Sequence, residues 1–258
     1  MNCAVCVLQK NMAIIRELKK RILLSFKKSA QKNLEGLAEK RKHIEQLLKN
    51  TDRVHLGCGD VRMKGFINVD FRTTLATDVQ HDCRDLSVFP SGSLSVVFSN
   101  AFFEHLYKND RVKCLQSIYT ELRPEGEIVF TGFPDFERVA RAYLEKKKGL
   151  ISERFDLYHV YRFTHGDPEH VDGWWLEQLH KTIFDKDEVE QILQQAGYRH
   201  YIIFDYAFRQ DDLVVTMGFC AFKQKLSIVM NRDWLIKHIA QFSSDVRGDS
   251  IEVLVIAA

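Results

Sequence analysis

An α/β domain built on a mostly parallel sheet is the fold class this sequence predicts, on three observations. The apolar run Val54-His55-Leu56 enters the tight turn Gly57-Cys58-Gly59. A second apolar run, Phe66-Ile67-Asn68-Val69, closes on the carboxylate of Asp70. Beyond it, short apolar runs alternate with helical periodicity, the pattern of strands joined by crossover helices and covered on both faces. In order, strands are expected near 53–57, 66–70, 77–80, 95–100, 127–132, 200–206 and 214–222. Helices are expected near 107–122, 135–147 and 186–196. The connection from Gly59 to Phe66 is too short for a crossover helix, which needs about a dozen residues, and the spacing alone offers no way to close it.

The glycine turn and the carboxylate together describe a nucleoside-binding edge. Gly57 and Gly59 lack the Cβ atoms that would hold a ligand away from the backbone, and Asp70 can accept from two neighbouring ribose hydroxyls. A dinucleotide fingerprint requires a third glycine and an acid about 20 residues further on. Here Arg62 stands in the glycine's place and Asp70 follows Gly59 too soon, which counts against a nicotinamide or flavin cofactor. No G-x-x-x-x-G-K-[ST] run is present, which excludes a Walker-type phosphate loop.

Leu56-Gly57-Cys58-Gly59 with Gly65-Phe66-Ile67-Asn68-Val69-Asp70 resembles the class I S-adenosylmethionine (SAM) dependent methyltransferases. The likeness is to the type 11 group, in its short-loop branch associated with glycan gene clusters. Asp82-Cys83-Arg84-Asp85-Leu86 resembles that family's acidic adenine loop, and Ser93–Asn100 its fourth strand. Phe103-Glu104-His105-Leu106 stands at its L-E-H segment, and Leu122–Phe130 at L-K-P-G-G and the fifth strand. His180–Phe184 and Leu193–Tyr198 resemble its late H-x-x-x-F and L-x-x-A-G-F segments. The likeness covers 51–224. It implies a three-layer Rossmann-like methyltransferase fold with a mostly parallel seven-stranded sheet and an antiparallel last strand. It also implies SAM as cofactor, held by His55, Leu56, Gly57, Cys58, Gly59, Asp70, Phe71, Asp82, Cys83 and Asn100. Two departures stand out: Ser95 replaces an Asp, and Glu125 replaces a Gly in a reverse turn.

Bulk properties fit one such domain with extensions. A chain of 258 residues, 45% hydrophobic with four prolines, can bury a sizeable core. No apolar run reaches the roughly 18 residues of a bilayer span, and no secretory signal is expected. The six cysteines are scattered, which fits reduced thiols in a cytoplasmic setting. Cys3 and Cys6 form a C-x-x-C without a second pair.

Charge is unevenly spread. Residues 1–50 carry 12 Lys/Arg against 4 Glu, and the remainder 25 against 31. Ile14, Ile15, Leu18, Ile22 and Phe26 recur at helical spacing among Lys19, Lys20, Arg21, Lys27 and Lys28, which predicts a basic amphipathic helix. Its apolar stripe either packs on the domain or a second copy, or meets an anionic membrane surface through 10–30, peripheral to the inner face. Nucleic acid is not expected, since no aromatic residues interleave with the basic ones. A second helix is predicted from about Leu34 to Leu48.

Residues 150–185 interrupt the fold and carry Tyr158, His159, Tyr161, His165, His170, Trp174, Trp175 and His180. Ligands of open α/β sheets bind beyond the carboxyl ends of the strands, so this insert reads as an aromatic lid over the acceptor. Its histidines lack H-x-x-x-H spacing and cysteine companions, so no metal site is expected. Methyl transfer to a hydroxyl calls for positioning, a dry site and a general base. The candidate bases are His105, His165 and His180. His105 has the alternative of capping the following helix, and Asp135 either meets the acceptor or begins a helix.

Residues 225–258 read as strand–helix–strand and weakly resemble the opening of a family 2 glycosyltransferase, without its acidic nucleotide-binding residues. The overall expectation is an enzyme that methylates a small-molecule or glycan acceptor on a sugar hydroxyl. The competing readings are a non-catalytic SAM-binding regulatory or scaffolding protein and a nicotinamide-dependent reductase.

Overall fold

The computed structural model describes residues 4–148, 154–167, 175–209 and 212–257, with the backbone alone for 4–17, 30 and 175. Residues 1–46 and 47–258 form two compact units. The first holds most of α1 (Ala4–Leu47), one uninterrupted helix where two were expected. Gly36 does not break it, because a lone glycine costs a helix only about 1 kcal/mol, and Gln31 donates to Glu35 one turn on. Leu18, Ile22, Leu23, Leu24 and Phe26 are exposed along it, Phe26 by 70%. Among the described residues no helix is long and apolar enough to cross a membrane.

The second unit is an eight-stranded sheet. Its strands are β1 (Arg53–Leu56), β2 (Ile67–Asp70), β3 (Val79–Gln80), β4 (Leu94–Asn100), β5 (Leu122–Pro134), β6 (His200–Ala207), β7 (Val214–Phe222) and β8 (Glu252–Ala257). They lie in the order β3-β2-β1-β4-β5-β7-β6-β8, with β7 and β8 antiparallel to the rest. The doubly wound α/β class holds, with one strand more than the seven expected. The extra strand comes from the C-terminal tail, which pairs β8 with the free edge of β6. Glu125 lies not in a reverse turn but in a bulge of β5, where the register shifts opposite Leu94–Val96.

The short β1–β2 connection closes through side chains instead of a helix. Gly57 and Cys58 both donate their N–H to the Val69 carbonyl, at 2.9 and 3.1 Å, which curls the chain over the end of β2. Asn68 then ties the loop down. Its Oδ1 accepts from the Met63 N–H (2.8 Å), and its Nδ2 donates to the carbonyls of Met63 and Phe66 and to Asp78. A buried amide satisfied on both ends replaces the ladder of a crossover helix.

Helices cover both faces. On one face α7 (Arg232–Ile239) lays Leu235 and Ile239 on Phe98, Val129, Ile202 and Phe222, with Phe242 stacked on Phe98 at 5.7 Å. On the other lie α2 (Lys108–Glu121) and α6 (Lys186–Gln195), which bury Leu115, Ile118, Val189 and Leu193. α3 (Phe136–Leu144) and α4 (Leu157–His165) share an apolar cluster with Leu213 and Val215, and α5 is the single turn Trp175–Gln178. Asp135 caps α3, its carboxylate accepting from the N–H groups of Glu137 and Arg138.

Residues 225–258 belong to the same compact unit as the sheet. The strand expected at 225–230 does not form, and Met230 is buried in the cluster under α7 instead. The helix and the final strand do form. Arg138 of α3 joins the tail to the centre by pairing with Asp205 of β6 (2.8 Å) and with Glu252 of β8.

Two outcomes follow from this packing. Asn68→Ala strands several buried backbone groups and should lower unfolding free energy by about 2–4 kcal/mol in urea titration. Burial and the neighbouring Asp135 carboxylate push Asp205 up to about 8. A carboxyl raised in the folded state stabilises most below its unfolded range and loses that contribution as pH climbs through about 8. The wild-type melting temperature should therefore fall between pH 6 and pH 9, and Asp205→Asn should fall less over the same interval.

Candidate active site

Strand order reverses between β1 and β4, and the carboxyl ends of β1, β2, β4 and β5 frame the crevice where such sheets bind ligands. At its β2 side, Asp70 is buried, and its two oxygens accept from the N–H groups of Gly59 and Arg72, each at 2.8 Å. A carboxylate offers about four lone-pair sites, and beyond the two backbone N–H groups the Arg72 guanidinium stands 3.7 Å from Oδ1, so a ligand's hydroxyls would share what remains with it. A cleft of about 610 Å³ opens beside it, lined by Phe71, Arg72, Thr74 and Gln80 among others. Gly57 sits at φ +67°, and a Cβ there would come within 2.8 Å of the Phe102 ring. The glycine thus makes room for Phe102 as much as for any ligand. Burial, then the Asp70 charge, push the Cys58 thiol up to about 11, so it is protonated.

The remaining residues expected at a cofactor are placed unevenly. Arg84 clasps the Asp82 carboxylate with its guanidinium and its own N–H, and holds it below the usual carboxylate range. An adenine amine would share Asp82 with Arg84. Cys83 is buried beneath the same loop, its thiol raised by burial. Asn100 accepts from the Thr131 hydroxyl at 2.9 Å and locks β4 to β5. His55 does not join the edge. Its ring is buried against Phe98 (5.4 Å) and pairs with Asn68 Oδ1, and burial lowers its pKa, so it is a neutral core histidine. Leu56 is fully buried.

Beyond β4 the chain makes a 3-10 turn, Phe103–His105. Phe103 is its anchor, stacked on Phe184 at 5.2 Å and edge-on to Phe130, Phe133 and Phe219. That anchor turns Glu104 and His105 into a cleft of about 1390 Å³, whose walls include Phe163, Gly166, Gln178 and His180. Gly166, at the end of α4, lets the segment after α5 approach closely, for a Cβ there would meet the Gln178 carbonyl at 2.8 Å. This brings His180 beside His105, with ring centroids 5.3 Å apart.

Both rings have a fixed orientation. His105 Nδ1 lies 3.1 Å from the Leu179 carbonyl and His180 Nδ1 lies 2.8 Å from the Phe163 carbonyl. A carbonyl only accepts, so each Nδ1 carries the hydrogen and each Nε2 keeps its lone pair. Burial pushes His105 down to about 4 and also lowers His180. Glu104 is fully buried, which pushes it up to about 8, and its Oε2 has no hydrogen-bond partner among the described residues. The outer rim carries Arg162, Asp167, Asp245 and Arg247.

Of the three expected bases, His105 and His180 converge and His165 does not. His165 is exposed, stacks on Tyr161 at 4.9 Å and pairs with the Thr164 hydroxyl. His170 and Trp174 lie outside the described residues, as does the side chain of Trp175. Glu104 escaped sequence reasoning, although its place beside His105 in F-E-H-L was the available signal. The partner that gives it meaning lies more than seventy residues away.

Residues 61–130, from the loop after the glycine turn into β5, match a family model described as a methyltransferase domain. No curated protein matches the chain. Among solved structures, a SAM-dependent methyltransferase from Archaeoglobus fulgidus is 17% identical, with 84% of this chain and 90% of that one covered, at a TM-score of 0.43. One from Methanosarcina mazei is 14% identical, over 71% of this chain and 97% of that one, at 0.45. The 1,6-didemethyltoxoflavin-N1-methyltransferase of Burkholderia thailandensis, with S-adenosylhomocysteine bound, is 13% identical over 73% and 78%, at 0.42. Likenesses this loose carry nothing about the ligand of this chain.

Gly57→Ala places a Cβ both at positive φ and against Phe102. It should cost about 1–3 kcal/mol in denaturant unfolding, and Phe102→Ala in the same chain should recover the part due to the ring, the Phe102 Cβ remaining 3.1 Å away.

Proposed function

We propose that this protein is a SAM-dependent methyltransferase acting on a hydroxyl of a sugar or glycan-linked acceptor. The observation that carries the reading is the juxtaposition at the switch point. A glycine turn and the buried Asp70 carboxylate stand at one end, and a large cleft lined by two imidazoles at the other. The methyltransferase-domain match over 61–130 supports it. SAM supplies an activated methyl group that a nucleophile takes in line, leaving the S–C electron pair on sulfur.

In this reading Asp70 holds the ribose hydroxyls, the Gly57–Gly59 backbone receives the methionine part, and the Asp82–Cys83 loop borders the adenine. The acceptor hydroxyl lies in the cleft against His105 and His180. Its proton passes to an Nε2 lone pair as the oxygen bonds to the methyl carbon. Both imidazoles are neutral, and since burial pushes His105 down to about 4 and makes it a weak base, His180 is the better placed of the two to receive it. The polar rim of Arg162, Asp167, Asp245 and Arg247 suits a hydroxyl-rich acceptor better than an apolar one.

Calorimetric titration with S-adenosylhomocysteine, beside NADH, tests the cofactor. Wild type should bind the former alone, and Asp70→Ala should weaken it by about 2 kcal/mol, roughly 30-fold. Because Asp70 also closes the loop, the unfolding midpoint of each variant is measured in parallel, and Asp70→Asn serves as the gentler change. Absence of binding by wild type overturns the reading. Binding without methyl release to any sugar acceptor favours a SAM-binding scaffold.

A further inference from the structure

We infer that Glu104, His105 and His180 form a binding site for a divalent first-row transition-metal ion. One ligand atom from each of the three lies within 4.8 Å of the others, and Glu104 Oε1 stands 3.8 Å from His105 Nε2. Around a shared ion at about 2.0–2.2 Å from each donor, neighbouring donors sit roughly 3.4 Å apart. Glu104, whose Oε2 makes no hydrogen bond among the described residues, is the donor left to move and close the remaining gap.

Three features distinguish this cluster from histidines that merely line a wall. Each Nδ1 is engaged by a backbone carbonyl, Leu179 for one ring and Phe163 for the other. That second-shell bond fixes the tautomer and aims Nε2 at a metal in known sites. Glu104 is fully buried, and its Oε2 lacks a hydrogen-bond partner among the described residues, an arrangement costly for a carboxyl unless something polar completes it. The three donors also come from only two short segments, the 3-10 turn and the irregular stretch between α5 and α6, and all three line the open cleft.

Two imidazoles and one carboxylate with vacant positions suit zinc or ferrous iron, and are poor for magnesium or calcium, which prefer oxygen donors. The site stands apart from the methyl-transfer reading, since it requires neither cofactor nor acceptor. Combined with that reading, the ion would draw electron density from the acceptor hydroxyl and ease loss of its proton to solvent. The imidazoles would then act as ligands instead of bases.

The test uses full-length protein stripped with a chelator, titrated with Zn²⁺ by calorimetry and with Co²⁺ by visible absorption, without SAM or acceptor. One ion per chain is expected, with d–d bands of a low-coordinate cobalt site and a metal-dependent rise in melting temperature. Glu104→Gln and His180→Ala should each weaken binding at least about tenfold, while His165→Ala, at an exposed ring nearby, should leave it unchanged. Glu104→Gln is close to isosteric, and its melting temperature without metal reports whether the fold survives. No stoichiometric binding by wild type overturns the inference, and so does binding that both variants retain. Because methyl transfer is not the readout, failure here leaves the cofactor assignment standing, and the converse also holds.

Discussion

The Asn68 side chain is the clasp on which the glycine turn and the β1–β2 edge depend. Parallel neighbours such as β1 and β2 normally buy their separation with a crossover helix, and this chain has none there. Asn68 substitutes for it by holding Met63 and Phe66 from within β2, and it also meets His55 of β1 and Asp78 before β3. With the loop fixed, Gly59 can direct its N–H at Asp70. One amide therefore couples sheet registration to the orientation of the Asp70 carboxylate, and both would be lost together.

A second constraint acts at the other end of the crevice. The rings of Phe103, Phe130, Phe133, Phe184 and Phe219 interlock beneath the turn after β4. Aromatic pairs of this geometry contribute beyond their buried area, and here they hold Glu104 where desolvation disfavours its charge. A buried carboxyl and two neutral imidazoles are thus fixed without one another's help. Such preorganisation fits a group waiting for a cation or for a substrate proton.

The tail shows how a sheet edge can be completed from a distance. β6 would be an exposed edge without β8, and unpaired edges invite association. Arg138 spans Asp205 and Glu252, so the strand is tied to α3 as well as to its neighbour. α7 adds Leu235 and Ile239 to the sheet face that holds Phe98 and Phe222.

The local signals in this chain were enough for the α/β sheet and for the glycine turn that leads to Asp70, whereas the meeting of His105 with His180 needed the fold. The sheet and the turn rest on periodicity or on chemistry confined to a few neighbouring residues. What tertiary structure alone decided involves partners distant in sequence. His55 looks like part of the edge in Val54-His55-Leu56-Gly57, yet strand alternation turns it to the core face against Phe98. Arg84, which clasps Asp82 from two residues away, is itself held by Asp110 of α2. The eighth strand depends on an unoccupied edge at β6, which no local pattern announces. Glu104 acquires a role only when Gly166 lets residues 178–180 approach, because a ligand set is defined by distances in space and the sequence records only distances along the chain.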